Sequence, residues 1–142
     1  MNSLNFLDIN VWLALAWERH AQAESARNWF EQTEGEQFLF CRFTQLGFLR
    51  LLTTQAVMGK DVKTMVGAWE VYDEWCADDR VGLLPEPGGL DRDLKALTRS
   101  RNASPKAWAD AYLGAFASAA GLKLVTFDKS LGAKSTGSLI LH

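Results

Sequence analysis

Little in the sequence can build covalently or metal-closed structure. Cys41 and Cys76 are its only cysteines, too few for a disulfide framework or a four-ligand zinc site, and both are expected to be reduced and buried. His20 and His142 lie far apart and away from any nucleophile, which leaves a histidine-based ribonuclease mechanism without support. No apolar run is long enough to span a bilayer. The stretch from Val11 to Trp17 is short, and 107–122 is broken by Asp110, Gly114 and Ser118. Residues 1–6 lack the positive start and long apolar core of a secretory signal, so no membrane association and a cytoplasmic location are expected. An excess of one charge is missing too. Fifteen Lys and Arg against 17 Asp and Glu give a net charge of −2, which argues against a uniformly cationic, nucleic-acid-coating protein and leaves room for a local basic patch. With no internal repeat and no linker, residues 1–142 are expected to form a single domain that buries roughly 70% of its unfolded surface.

What is present is ordinary globular material, 48% hydrophobic and 23% charged. Leu4 to Asp8 reads as a short buried strand ending in an acid. Asn10 then stands as the N-cap of a helix through Val11 to Trp17. A helix over 21–32 carries Ala23, Ala26, Trp29 and Phe30 on one face, and Phe38 to Cys41 is the next strand. Thr44 is placed to cap a helix burying Leu46, Leu49 and Leu52. From Asp61 to about Ala77 a second amphipathic helix aligns Val62, Met65, Val66, Trp69, Tyr72 and Cys76 on one stripe. Val81 to Leu84 is a strand, Pro85 to Gly89 a loop, and Leu90 to Ser100 a helix. Ser104-Pro105 starts a further helix that ends at Gly121, and Leu122 to Phe127 is a buried strand ending in Asp128. A flexible stretch over 132–137 leads to a short edge strand at Ser138 to Leu141. Strands alternating with helices imply one α/β domain on a mainly parallel sheet with helices on both faces.

Ligands of such sheets bind beyond the carboxyl ends of the strands, and two of these strands end in an aspartate, Asp8 and Asp128. A third acid, Asp110, interrupts the small apolar residues of the penultimate helix, in its second turn. An acid flanked by alanines on a largely buried helix calls for a cationic partner. Each acid also has a plain structural use: Asp8 and Asp128 as helix caps, Asp110 paired with Lys106, Arg99 or Arg101. Together, the three carboxylates suit a hard divalent cation, Mg²⁺ or Mn²⁺, and with it hydrolysis of a phosphodiester.

Four stretches carry a family resemblance: 6–14, 40–53, Trp108 to Leu113, and Gly121 to Asp128, in that order and spanning nearly the whole chain. They resemble the PIN-domain nucleases, and within them the VapC-like toxins of type II toxin–antitoxin systems. The resemblance implies an α/β/α sandwich and metal-dependent endoribonuclease activity. It also implies Asp8, Asp110 and Asp128 as catalytic and metal-binding acids, with Asn10 and Thr126 as supporting polar residues. A homodimer and a cognate antitoxin as inhibitor are implied as well, and Trp12 and Trp17 lie where the family's antitoxin groove or dimer surface is expected. One residue departs from the pattern: many PIN domains have a glutamate where this chain has Gln45, a neutral amide that can still orient water but adds no charge to a metal site.

Arg42, Arg50 and Lys106 lie near the motifs and are candidates to meet RNA phosphates, as are Arg99, Arg101 and Lys129. Two rival readings remain. A catalytically weak PIN scaffold that only binds RNA or protein is motivated by Gln45. An aspartate-dependent phosphatase would use Asp8 as nucleophile but wants a second acid where Asn10 stands.

Overall fold

The computed structural model describes residues 4–142. Along the chain these form β1 (Leu4–Leu7), α1 (Ile9–Ala16), α2 (Ala23–Gln32), β2 (Gln37–Cys41), α3 (Arg42–Leu52), α4 (Gln55–Met58) and a 3₁₀ turn at Gly59–Asp61. There follow α5 (Met65–Cys76), β3 (Val81–Leu84), α6 (Leu90–Leu97), α7 (Ala107–Ala120), β4 (Lys123–Thr126), α8 (Lys129–Lys134) and β5 (Leu139–Ile140). Every strand pairing is parallel, and the order across the sheet is β3-β2-β1-β4-β5. The chain winds outwards from β1 to β3, then returns to the other side of β1 for β4 and β5. The direction of winding therefore switches between β1 and β4, which is where open α/β sheets place their ligands.

Central strands covered on both faces need apolar side chains on both, and the short runs of β1, β2 and β4 supply them. Phe38 and Phe40 of β2 turn to one face, Leu39 and Cys41 to the other. On the first face α1, α2, α3 and α5 close over a core centred on Trp12, which stacks on Phe40 with ring centroids 3.9 Å apart. Trp75 meets Trp12 edge-on, and Phe48 and Tyr72 complete the cluster around Phe40. On the second face Phe6 stacks on Phe116 of α7 at 4.9 Å, among Leu39, Leu113, Leu124 and Leu131. These are the two helical layers of an α/β/α sandwich. Among the described residues no helix is long and apolar enough to cross a membrane.

Several local expectations are corrected. Asp8, not Asn10, caps α1, because the helix begins two residues earlier and the Asp8 carboxylate accepts the Ile9 N–H (2.8 Å). Cys41 is the N-cap of α3. Thr44 sits inside the first turn and reaches back, accepting the Cys41 N–H at 2.9 Å, so strand passes to helix without a loop. Leu46 is exposed, and the buried side of α3 runs through Thr44, Gln45, Phe48 and Leu52. Thr64 rather than Asp61 opens α5, which buries Ala68 and Tyr72 while Met65, Val66 and Trp69 face outwards. That helix is apolar on two flanks, and the flank able to reach Phe40 and Trp12 takes the core. Trp12 is fully buried and presents no surface to a partner. α6 ends at Leu97, and α7 begins two residues beyond Pro105, after a turn in which Ala107 N–H donates to the Ser104 carbonyl. Its end is the expected one, with Gly121 left-handed at φ 68°. Part of the stretch read as flexible is α8, where a Cβ on Gly132 would lie 2.4 Å from Ile140.

Trp12→Ala removes the centre of the larger core and is expected to cost about 3–5 kcal/mol. Urea unfolding followed by circular dichroism measures this, and a loss below about 1 kcal/mol would contradict the central place given to the Trp12–Phe40 stack.

Candidate active site

Leu7 of β1 lies opposite Val125 of β4, so the residues that follow each strand leave the sheet at the same edge. The Asp8 N–H extends the ladder by donating to the Val125 carbonyl at 2.9 Å. Thr126, the last residue of β4, is wholly buried between the two acids. Its hydroxyl donates to Asp8 Oδ2 at 2.8 Å and accepts the Asp128 N–H at 3.0 Å. A hydroxyl has one proton to give and lone pairs to accept with, so this arrangement uses it in both directions and ties Asp8 to the backbone of Asp128.

Both carboxylates cap helices. Asp8 Oδ1 takes the first N–H of α1, and Asp128 Oδ1 accepts the N–H groups of Ser130 and Leu131 at 2.9 and 3.2 Å at the start of α8. Asp110 lies in the first turn of α7, not the second, and is half-buried. The partial positive charge of three helix starts thus faces the three acids. The capping role and the functional role weighed against each other from sequence fall on the same side chains.

Burial pushes the Asp8 carboxyl above the usual carboxylate range. The hydrogen bonds from Thr126 and the Ile9 N–H act against that, while the charges of Asp128 and Asp110 push in the same direction as burial. Lys106 Nζ stands 3.8 Å from Asp128 Oδ2 rather than beside Asp110, and among the described residues no cation pairs with Asp8 or Asp110. The donor set is all hard oxygen with an uncompensated negative charge, which fits a divalent cation of the Mg²⁺ type. Among the described residues no three acids, histidines or cysteines stand close enough together to hold a metal ion between them, so the structure by itself brings the three aspartates to one edge without closing them into a metal centre.

The remaining candidates are scattered around this edge. Asn10 is exposed on the first turn of α1. Gln45 is buried, and its Oε1 accepts from the Arg42 guanidinium at 2.5 Å. Its amide also meets the hydroxyl of Tyr72, which burial, with help from Cys76, pushes up to about 12. Arg42 itself directly follows β2 at the carboxyl edge, whereas Arg50 is eight residues further along α3, about 12 Å by helical rise, and is carried away from that edge. Trp17 donates from Nε1 to Asp61 at 2.8 Å beside Arg19, and lines an open cavity of about 700 Å³ with Leu52, Met58, Val71 and Trp75.

The PIN domain model matches residues 6–135. The chain belongs to the PIN-domain family. This PIN domain is 40% identical over 126 residues to ribonuclease VapC41 of Mycobacterium tuberculosis, a match covering 85% of the chain and 86% of that relative. It is 32% identical over 132 residues to ribonuclease VapC44 of the same organism, covering 88% and 86%. In fold it is similar to M. tuberculosis VapC20, a sarcin-ricin loop cleaving toxin, with a TM-score of 0.65 at 16% identity over 92% and 94% of the two chains. It is also similar to VapBC2 of Rickettsia felis bound to a promoter DNA fragment, with a TM-score of 0.67 at 10% identity over 96% of each.

Two contacts in this PIN domain were not foreseen from sequence, the Arg42–Gln45 bond and the Lys106–Asp128 pair. The first had a signal, since residues three apart face each other on a helix. The second joins residues far apart in the chain and had none.

Asp8→Asn is expected to raise the melting temperature of the metal-free protein at pH 7.5. A carboxyl whose folded-state pKa lies above its unfolded value loses stability as pH rises through that range, so the gain should shrink as pH falls towards 4. Scanning calorimetry of both proteins across pH measures this; a variant that melts lower at every pH would show that burial of the Asp8 charge costs nothing.

Proposed function

We propose that this PIN domain is an endoribonuclease toxin that hydrolyses RNA phosphodiester bonds with the help of Mg²⁺ or Mn²⁺, in the cytoplasm, and that a cognate antitoxin inhibits it. The observation that carries the proposal is the carboxyl edge between β1 and β4, where Thr126 links Asp8 to Asp128 and the charge of Asp110 is felt at Asp8. The ribonuclease relatives support the choice of RNA. Asp8, Asp110 and Asp128 would hold the ion, which when bound makes water a better nucleophile and offsets charge developing on the phosphate. Thr126 orients Asp8 and leaves lone pairs of both carboxyl oxygens free. Lys106 pairs loosely with Asp128 and is placed to meet a backbone phosphate instead. Arg42, held by Gln45, offers a second cation along the same edge, and Asn10 presents its amide from the first turn of α1.

Two protein contacts complete the reading. A second copy of the chain covers the outer side of α5, where Met65, Val66 and Trp69 are 72%, 68% and 44% exposed. An antitoxin segment occupies the cavity beside Trp17, whose walls mix Val71 and Trp75 with Arg27 and Glu74.

Purified protein is expected to cut a total-RNA panel at discrete positions with Mg²⁺ or Mn²⁺ and not in EDTA. Asp8→Asn and Asp110→Asn should abolish the cuts. Thr126→Val should lower activity about 10–100-fold and raise the metal concentration for half-maximal rate. Gel analysis of the products reads all three, and RNA bound without cleavage at saturating metal would instead select the binding-module reading.

A further inference from the structure

A cavity of about 320 Å³ opens beside Asp110, walled by Ala107, Ala111, Gly114, Leu97 and Leu131, with Lys134 and Ser135 at its rim. Leu97, Gly114, Lys134 and Ser135 are shared with a second hollow of about 260 Å³ further along α7. The two make one cleft running from Asp110 between the ends of α6 and α8. Gly114 contributes no side chain to the wall, and a Cβ there would sit in ordinary contact with Leu97, 3.7 Å away, taking up part of the slot. Beside Asp110 the walls are apolar up to the polar rim, whereas the further hollow adds Asp93, Ser118 and Thr136; Lys134 makes no ion pair among the described residues.

We propose that this cleft seats one unpaired nucleobase of the RNA next to the scissile phosphodiester, and that Lys134 makes guanine the preferred base. The proposal rests on the endoribonuclease reading and adds the determinant of where that activity falls. Its physical basis is threefold. A flat aromatic base is the part of an RNA chain that apolar walls desolvate at a gain, and single-stranded RNA can splay a base out. The cleft opens at Asp110, so a base lodged in it leaves its sugar–phosphate beside the acids. An ammonium is a donor without acceptor capacity. It matches the paired O6 and N7 acceptors of guanine, whereas the amino groups of adenine and cytosine would confront it with another donor and uracil offers the single O4 acceptor on that edge. The charge of Lys134 at the rim also attracts a negatively charged backbone.

The test is fluorescence anisotropy of the full chain in EDTA with labelled uridine hexamers that carry G, A, C or U at one central position. The guanine hexamer is expected to bind about tenfold more tightly than the others. Lys134→Met, which keeps the apolar stem, should erase that preference. Gly114→Ala, whose methyl group fits beside Leu97 and favours the helix, should weaken the guanine hexamer by narrowing the slot. In Mg²⁺ the wild type should cut beside the guanine and Lys134→Met without regard to it. Equal binding of all four hexamers by the wild type, or an unchanged ranking in Lys134→Met, overturns the proposal. The two readings fail separately. A Lys134-dependent guanine preference without metal-dependent cleavage removes the nuclease and keeps the cleft, while metal-dependent cleavage indifferent to Lys134 does the reverse.

Discussion

The pairing of β1 with β4 is the constraint from which the site follows. Because the strands run parallel with Leu7 opposite Val125, both end at the same edge of the sheet, and Asp8 and Asp128 follow them there. An antiparallel pairing would have sent them to opposite edges. A register shift of one residue would have turned Thr126 from the gap between the acids to the other face of the sheet. The Thr126 hydroxyl converts this proximity into a fixed geometry, since one bond goes to a side chain and the other to a backbone N–H that cannot move without disturbing β4.

Gathering three carboxylates at one edge is unfavourable, and the fold offsets part of the cost with its own backbone. Each acid sits at the start of a helix, α1, α7 or α8, and at Asp8 and Asp128 capping bonds take up oxygen lone pairs that would otherwise be stripped of water. The compensation is incomplete at Asp8, where burial and the neighbouring charges outweigh the two hydrogen bonds it accepts. A site that was fully neutralised by its own side chains would have nothing left with which to attract a cation. Lys106 beside Asp128 illustrates a middle course: an exposed lysine on a long, flexible stem at 3.8 Å is a weak and displaceable partner.

How much of this could be read from the residues depended on whether the determining contact was local. The strand-end acids were legible because a run such as Leu122 to Phe127 bounded by Gly121 and Asp128 carries its own punctuation. The element order, and with it the parallel sheet, followed from the alternation. The phase of α5 was not legible, because an apolar helix surface wider than one stripe leaves the choice of buried side to its neighbours, here Phe40 and Trp12. Trp12 was placed near a partner surface by resemblance, yet its position between α1 and β2 is a packing outcome that needs the sheet to be known first. The start of α1 was displaced by competition between two good caps, Asp8 and Asn10, that differ by only two positions; the ladder bond from Asp8 to Val125 decided between them. Pairs such as Lys106 with Asp128 join separate elements and leave no periodic trace.

Gln45 shows how one neutral residue shifts the balance of this edge. A glutamate there would be a buried carboxylate beside Arg42, and the two charges would cancel locally. The amide satisfies the guanidinium with its oxygen and carries no charge, so Arg42 keeps its full positive charge at the carboxyl end of β2. The net charge of the edge is therefore one unit more positive than it would be with a glutamate at this position. Tyr72, which meets Gln45, is fixed in the larger core. The amide is consequently pinned where a charged side chain would need compensation, and the choice of a neutral residue there is tied to the packing of α3 against α5.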